Sequence, residues 1–280
     1  MIKKIDSINY KKRNIAIWNE VAPRYHLRWA SKGKGPFEST DILVKKAKIK
    51  KSFDVLDIAC GTGVVTKKIS SVVGKSGSVI GVDTSLSAIR IAKKENPTRK
   101  NLDFILSDAE NFTLNKKFDA ITCQYALFFF PDSKKALYNA KKLLKNNGVL
   151  ALSVHGENVP FFSSILDVVT QYIPDYTPVG APNLDRFGTK EALIKEVKST
   201  GFSNIQVNDF EFRYSPGTFT DYWQNYLRYI AKPLKEKIKK LSTEKKKIIR
   251  DEIRNKTDRY TVRNGKIIFP WQVLILTAKK

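Results

Sequence analysis

Histidine and cysteine are nearly missing from the 280 residues, with two of each: His26 and His155, Cys60 and Cys123. Two cysteines cannot build a disulfide framework, and two Cys with two His do not lead to a structural zinc site. No metal is therefore expected, and a reducing interior is the natural setting. Long apolar runs are missing too. The stretch from Ala126 to Pro131 is far below the roughly 20 residues that span a bilayer. The opening Met1-Ile-Lys-Lys-Ile-Asp has basic residues but no apolar run or small-residue cleavage site after them, so no secretory signal is expected. The cytoplasm is the expected compartment. Acidic residues are scarce, 27 against 51 Lys and Arg, for a net charge of +24. Such a field favours anionic partners (nucleic acid, anionic lipid or a negatively charged substrate) without choosing among them. Because lysines occur along the whole chain, a solvated basic surface is the plainer account.

The chain is long enough for one large α/β domain with insertions, or for a core with a modest cap. Residues Lys11 to Trp29 carry Ile15, Trp18, Val21 and Tyr25 at helical spacing, with Pro23 expected to kink or divide the segment. Phe37 to Ala47 is expected to be a second helix. From Phe53 the pattern alternates. Short apolar runs at Phe53 to Ala59, Ser78 to Asp83, Leu102 to Ser107, Ala120 to Gln124 and Gly148 to Val154 predict strands buried on both faces. Between them, Val64 to Val73, Ser85 to Lys94 and Ser133 to Leu144 have helical spacing, and the alternation predicts a doubly wound, mostly parallel sheet. Beyond Gly156 the rhythm breaks into an apolar segment, Phe161 to Ile173, and a loop rich in proline and glycine, Pro174 to Gly188. A helix at Lys190 to Ser199 follows. Strands at Ile205 to Phe212 and Trp271 to Thr277, with a long helical region from Phe219 to Ile253 between them, predict an antiparallel edge.

The sharpest feature is Val55-Leu56-Asp57-Ile58-Ala59-Cys60-Gly61-Thr62-Gly63, a strand running into a glycine turn that opens a helix. Glycines allow tight turning and close approach of a ligand, and a helix start offers unpaired N–H groups to an anion. Asp57, at the strand end, can pair with an ammonium group. A dinucleotide site would want a third glycine where Thr66 stands, and no Gly-Lys-Ser/Thr of a phosphate loop follows. The remaining candidate is a nucleoside ligand carrying an amino acid. Asp83 ends the next strand in Gly81-Val82-Asp83-Thr84-Ser85, and its two oxygens can accept from vicinal ribose hydroxyls. Its alternative role is a helix cap before Ser85. Ser107-Asp108-Ala109-Glu110 follows the third strand and Gln124-Tyr125-Ala126-Leu127 the fourth.

These elements resemble those of class I S-adenosylmethionine-dependent methyltransferases, with Asp57, Ala59, Gly61 and Gly63 matching the first motif and Ala59 standing where the family has glycine. The resemblance implies a Rossmann-like fold and S-adenosyl-L-methionine as cofactor. It implies Asp83, with Thr84 beside it, at the ribose, Asp108 at the adenine amino group, the Ala109 N–H at a ring nitrogen, and Gln124 near the methionine part. Lys145-Asn-Asn-Gly148 matches the turn before the fifth strand. The wider resemblance is to the ubiquinone/menaquinone-biosynthesis group, carried by Trp18-Asn-Glu-Val-Ala-Pro-Arg-Tyr25 and by Gly180-Ala-Pro-Asn-Leu-Asp-Arg-Phe-Gly188. The implied organisation is an N-terminal helical cap at 1–50, a cofactor-binding core at 51–156, a substrate-side insertion and helix at 157–200, and C-terminal edge strands with a helical insertion at 201–280.

Methyl transfer from a sulfonium is an in-line displacement in which a dedicated base is optional. Candidates for taking a proton are His155 after the fifth strand, His26 in the cap and Tyr25 beside it. Cys60 is read as turn filler rather than nucleophile. Tyr10, Trp18, Tyr25, Trp29, Phe128 to Phe130, Phe161, Phe162 and Phe187 supply aromatic surface suited to an apolar or aromatic small-molecule acceptor such as a quinone precursor, although at least half are expected in the core. Ile230, Leu234, Ile238, Leu241, Ile248 and Ile253 recur at near-helical spacing among lysines, a stripe that can face the core or rest on an anionic membrane. An RNA or protein methyltransferase is the alternative. Against it, the fourth strand ends Cys123-Gln-Tyr-Ala instead of Asn/Asp-Pro-Pro-Tyr/Phe, there is no Pro-Cys pair, and no RNA-binding module is recognisable. A non-catalytic cofactor-binding protein is the second alternative.

Overall fold

The computed structural model describes residues 2–176, 181–229 and 232–280. It contains α1 (Ile2–Arg28), α2 (Thr40–Lys46), β1 (Asp54–Ile58), α3 (Val64–Val73), β2 (Ser78–Asp83), α4 (Leu86–Lys94), β3 (Leu102–Leu106) and β4 (Phe118–Gln124). There follow α5 (Ser133–Leu143), β5 (Leu144–His155), α6 (Pro160–Tyr172), α7 (Lys190–Lys198), β6 (Ser203–Thr218), α8 (Phe219–Tyr229), α9 (Lys232–Lys239), α10 (Thr243–Asp258) and β7 (Lys266–Lys279). The seven strands form one sheet in the order β3-β2-β1-β4-β5-β7-β6. The first five pair in parallel, and β7 runs antiparallel to β5, with Ser153 opposite Ile275. A mostly parallel Rossmann-like sheet with an antiparallel strand on its β5 side is thus present, as the alternation predicts.

The chain divides into two compact units, the first comprising residues 1–157, 180–210 and 273–280 and the second residues 158–179 and 211–272. In the first unit Val55, Leu56, Ile121, Leu150 and Leu152 are buried, which is why their segments read as unbroken apolar runs. β3 departs from that expectation. It is one of the two edge strands, and its Leu106 is 51% exposed. Helix starts follow capping chemistry: the Ser85 hydroxyl accepts from the Ala88 N–H, and the Asp132 carboxylate accepts from the Lys135 N–H. Lys145 to Gly148 lies inside β5, at a shift of register between the Phe118 and Ala120 pairs. Pro23 does not divide α1. Asn19 Oδ1 accepts from the Ser85 hydroxyl and from the Ser87 N–H, so the turn that loses a donor at Pro23 is fastened to the start of α4.

The second unit has an aromatic core. Trp271 stacks on Phe161 at 5.3 Å and on Phe212 at 5.5 Å, and Tyr222 donates to the Phe161 carbonyl at 2.6 Å. The long helix expected from Phe219 to Ile253 is three helices. Pro233 sits in the first turn of α9, and Ser242 caps α10 by accepting from Lys245 N–H. The break resets the helical phase. Leu234, Ile238 and Ile253 are buried as the stripe predicts, but Ile248 is exposed and Ile249 takes the buried position. Ile230 lies outside the described residues, as does Gly180 of the substrate-side motif.

Candidate functional site

Strand order reverses at β1, whose neighbours β2 and β4 send their crossovers to opposite sides, and a doubly wound sheet opens a crevice at such a point. A cavity of about 1180 Å³, counting its solvent-open mouth, lies there. Its floor is built by the loops after β1 to β4, and α1 supplies a wall of Lys11, Asn14, Ile15, Trp18, Ala22 and Tyr25. Of the nine predicted cofactor positions, Asp57, Ala59, Gly61, Asp83, Thr84, Asp108, Ala109 and Gln124 line this cavity. Gly63 stands behind them at the start of α3.

The glycine turn divides its labour. At Gly61, with φ +54°, a Cβ would meet nothing within 4 Å, so its bare backbone faces open space that a ligand can enter. At Gly63, with φ +86°, a Cβ would stand 2.8 Å from Phe104 Cζ, so glycine there is required for packing. Ala59 also has a left-handed backbone, at φ +54°. The replacement of glycine by alanine therefore costs conformational energy, which smallness alone does not avoid. Left-handed alanine costs about 1–2 kcal/mol, partly offset by the ~0.4–1 kcal/mol that glycine loses in unfolded-chain entropy. Ala59→Gly is expected to stabilise the protein by about 0.5–1 kcal/mol in denaturant titrations. Destabilisation would mean that the alanine methyl makes compensating contacts.

Asp57 is buried at the end of β1, where Oδ2 accepts from the Thr66 hydroxyl and Oδ1 from the Thr122 hydroxyl, both at 2.7 Å. Burial pushes its carboxyl up to about 6 against the pull of those hydrogen bonds, with the Asp83 charge adding to the rise. Thr66, the residue that breaks the dinucleotide pattern, is thus a ligand of the motif's own carboxylate. Asp83 is likewise raised by burial, opposed by backbone N–H donors. Its Oδ2 accepts from Gly61 N–H and its Oδ1 from Ser85 N–H, both at 2.8 Å. Each oxygen retains one lone pair, an arrangement suited to two vicinal hydroxyls. Ser85 and not Asp83 caps α4, and Asp83 holds the capping residue's own N–H while keeping acceptor capacity.

Asp108 accepts from Lys11 Nζ at 2.8 Å, and Lys11 also reaches Glu110 at 2.6 Å. Burial would raise the Asp108 carboxyl, but Lys11 and its other donors hold it below the usual carboxylate range. The same two carboxylates raise Lys11 against its own burial. Oδ2 is filled by Lys11 and Asn111, leaving Oδ1, which carries the Glu110 N–H alone, to accept from an exocyclic amine. Lys11 was not legible as a site residue, being one basic residue among many. Its only signal is its place on the stripe that continues to Ile15, Trp18 and Tyr25. Gln124 is committed to the cap: it accepts from the Thr40 hydroxyl and donates to the Pro36 carbonyl and Ser39 Oγ.

The three proton-acceptor candidates separate. Tyr25 is on the cavity wall, edge-to-face with Trp18 at 5.5 Å, Trp29 at 5.0 Å and Phe37 at 5.8 Å. His26 reaches the cavity only through Thr62, whose Oγ1 lies 3.0 Å from His26 Nδ1. His155 does not line the cavity. Its ring lies 4.5 Å from that of Tyr125 and 5.3 Å from that of Phe128, and burial lowers its imidazole to about 3, leaving it neutral. The Cys60 thiol borders the cavity but is pushed well up by burial and the nearby carboxylates, which keeps it protonated as befits turn filler. Of the aromatic set, Tyr10, Trp29, Phe128, Phe161 and Phe187 are buried, whereas Trp18, Tyr25, Phe129 and Phe130 line the cavity.

A family model described as a methyltransferase domain matches residues 49–264. The demethylmenaquinone methyltransferase of Staphylococcus saprophyticus is 27% identical over 181 residues, covering 60% of this chain and 78% of that protein. That of Staphylococcus carnosus is 24% identical over 217 residues, covering 73% and 84%. Among solved structures, the YcgJ protein of Bacillus subtilis aligns with a TM-score of 0.58 at 19% identity, over 87% of this chain and 98% of that one. Phosphoethanolamine N-methyltransferase 2 of Haemonchus contortus, crystallised with S-adenosyl-L-methionine, aligns with a TM-score of 0.54 at 17% identity, over 87% and 52%. At such identities the structural likeness speaks for the fold.

Proposed function

The chain belongs to the methyltransferase-domain family as a class I S-adenosylmethionine-dependent enzyme, and on that premise we propose that it methylates a small apolar or aromatic molecule, a quinone precursor or a compound like it. The observation that carries the acceptor class is the aromatic wall, in which Trp18, Tyr25, Phe37 and Phe129 meet edge to face above the carboxylate-lined floor. Such rings offer a flat acceptor large contact area and exclude water. The demethylmenaquinone methyltransferase names of the relatives point the same way.

When bound, S-adenosylmethionine supplies an electrophilic methyl group on its sulfonium. Asp57 would hold its ammonium, Asp83 and Thr84 its ribose, Asp108 and the Ala109 N–H its adenine, and Gly61 gives the backbone room to do so. Gln124 would border the methionine part while fixing the segment that carries Phe37. The aromatic wall orients the acceptor in line, and orientation with desolvation is the protein's main contribution to a displacement of this kind. Tyr25 is the candidate best placed to receive a proton from a phenolic or acidic-carbon acceptor, with His26 behind Thr62 as a relay. We place the enzyme in the cytoplasm and at a membrane surface when it takes a lipid-soluble acceptor.

The test is transfer of a labelled methyl group from cofactor to small-molecule extracts and, separately, to RNA. Label in an organic-soluble product supports the reading, and label in RNA or protein alone overturns it. Label in nothing, from a chain that binds cofactor tightly, makes it a non-catalytic binder. Once an acceptor is identified, Trp18→Leu is expected to raise its KM about two- to tenfold, the worth of an aromatic pair. Cofactor affinity should stay unchanged.

A further inference from the structure

The second unit has a groove of its own. Trp223 and Leu227 of α8, Ile238 of α9 and the cationic side chains Lys235, Lys239, Lys246 and Arg250 enclose about 670 Å³, counting the solvent above it. Its floor is apolar and its rim is wholly basic. Three acids of these helices are held away from the rim, Asp251 by Lys247, Glu252 by the Tyr172 hydroxyl and Asp221 by the Thr218 N–H, while Glu236 pairs with Lys239 of the rim itself. Among the described residues only Lys239 of the four cations is ion-paired. Residues 219–263 carry fourteen Lys and Arg against six Asp and Glu, so the local field is strongly positive and compact.

An apolar floor with unneutralised cations above it is complementary to an amphiphile with an apolar tail and an anionic head. A nucleic acid would match the rim but leave the apolar floor uncovered, chiefly the half-buried Trp223, beneath which Leu227 and Ile238 are already largely buried. A neutral lipid would match the floor but leave the cations unused. We propose that this groove seats an anionic phospholipid at a bilayer surface, its acyl chain against Trp223, Leu227 and Ile238 and its phosphate among Lys235, Lys246 and Arg250. The inference rests on the peripheral location proposed above and not on the identity of the methyl acceptor. No helix among the described residues is long and apolar enough to cross a membrane, so adsorption through such a groove is the mode of attachment these helices allow.

The test uses the full chain with vesicles of phosphatidylcholine alone and of phosphatidylcholine containing about a quarter phosphatidylglycerol. Sedimentation with the anionic vesicles alone is expected, together with quenching of tryptophan emission by brominated acyl chains that is lost in Trp223→Phe. Replacing Lys235, Lys246 and Arg250 by Gln should lower vesicle affinity about a hundredfold and leave cofactor affinity, measured by calorimetry, unchanged. Undiminished vesicle binding by the triple variant overturns the proposal, as does quenching that survives Trp223→Phe. Retention of RNA by the same three cations without any vesicle binding assigns the groove to nucleic acid. Methyl transfer to a small molecule is measured separately, so failure of the vesicle test leaves the acceptor reading standing.

Discussion

Asp83→Ala is expected to weaken binding of S-adenosylmethionine by roughly 10- to 100-fold, read by calorimetry, because it removes two charge-assisted acceptors at once. The effect has two sources in the structure. In the proposed binding mode each Asp83 oxygen would accept from ribose, while Oδ2 already ties Gly61 N–H to the end of β2 and Oδ1 fixes Ser85 before α4. Alanine leaves both N–H groups without their acceptor and frees the turn whose bare backbone faces the cavity. Asparagine does not rescue it, since its amide NH2 would confront one of the two N–H donors. Asp83→Asn is therefore expected to lose affinity comparably while retaining the parent's far-ultraviolet circular dichroism. Unchanged calorimetric affinity in either variant would remove Asp83 from the site.

How much of this was legible follows from which interactions are local. β1 and its glycine turn, the carboxylates at the ends of β1 and β2, and the helices between them are specified by contiguous residues, and β2 and α3 have the boundaries the sequence predicts. The partners of those carboxylates were not legible. Thr122 lies 65 positions from Asp57, and Lys11 lies 97 positions from Asp108. Only the closing of the sheet and the laying of α1 across it bring them together. His155 misled for the same reason. Its place at the end of β5 suggested the ligand edge, while its ring is covered by Tyr125 and Phe128, whose positions depend on the turn after β4. The exposure of Ile248 depended on one serine: Ser242 starts a new helix, and a stripe counted through a continuous helix then falls on the wrong face.

Asp57→Asn is expected to stabilise the protein and impair it in the same stroke. The unfolded carboxyl titrates near 3.8 and the folded one near 6, because burial disfavours its charge. Between those values the folded chain binds more protons than the unfolded chain, so stability falls as pH rises through that window and stays reduced above it. The loss corresponds to about 3 kcal/mol for a two-unit shift. Asparagine abolishes it while keeping part of the pairing: the amide oxygen accepts from one threonine hydroxyl, and the amide nitrogen donates one of its two protons to the other, which turns to receive it. Denaturant titrations at pH 7.5 should therefore find the variant more stable by about 1–3 kcal/mol, with the advantage vanishing near pH 4. A less stable variant at pH 7.5 would mean that the ionised hydrogen bonds to Thr66 and Thr122 outweigh the burial cost. Function should move the other way. An ammonium loses its counter-charge, so cofactor affinity is expected to drop about tenfold or more. In the parent the same affinity should decline as pH falls through about 6, and the variant should lack that decline. A carboxylate kept buried at a cost to the fold is then explained by what it binds.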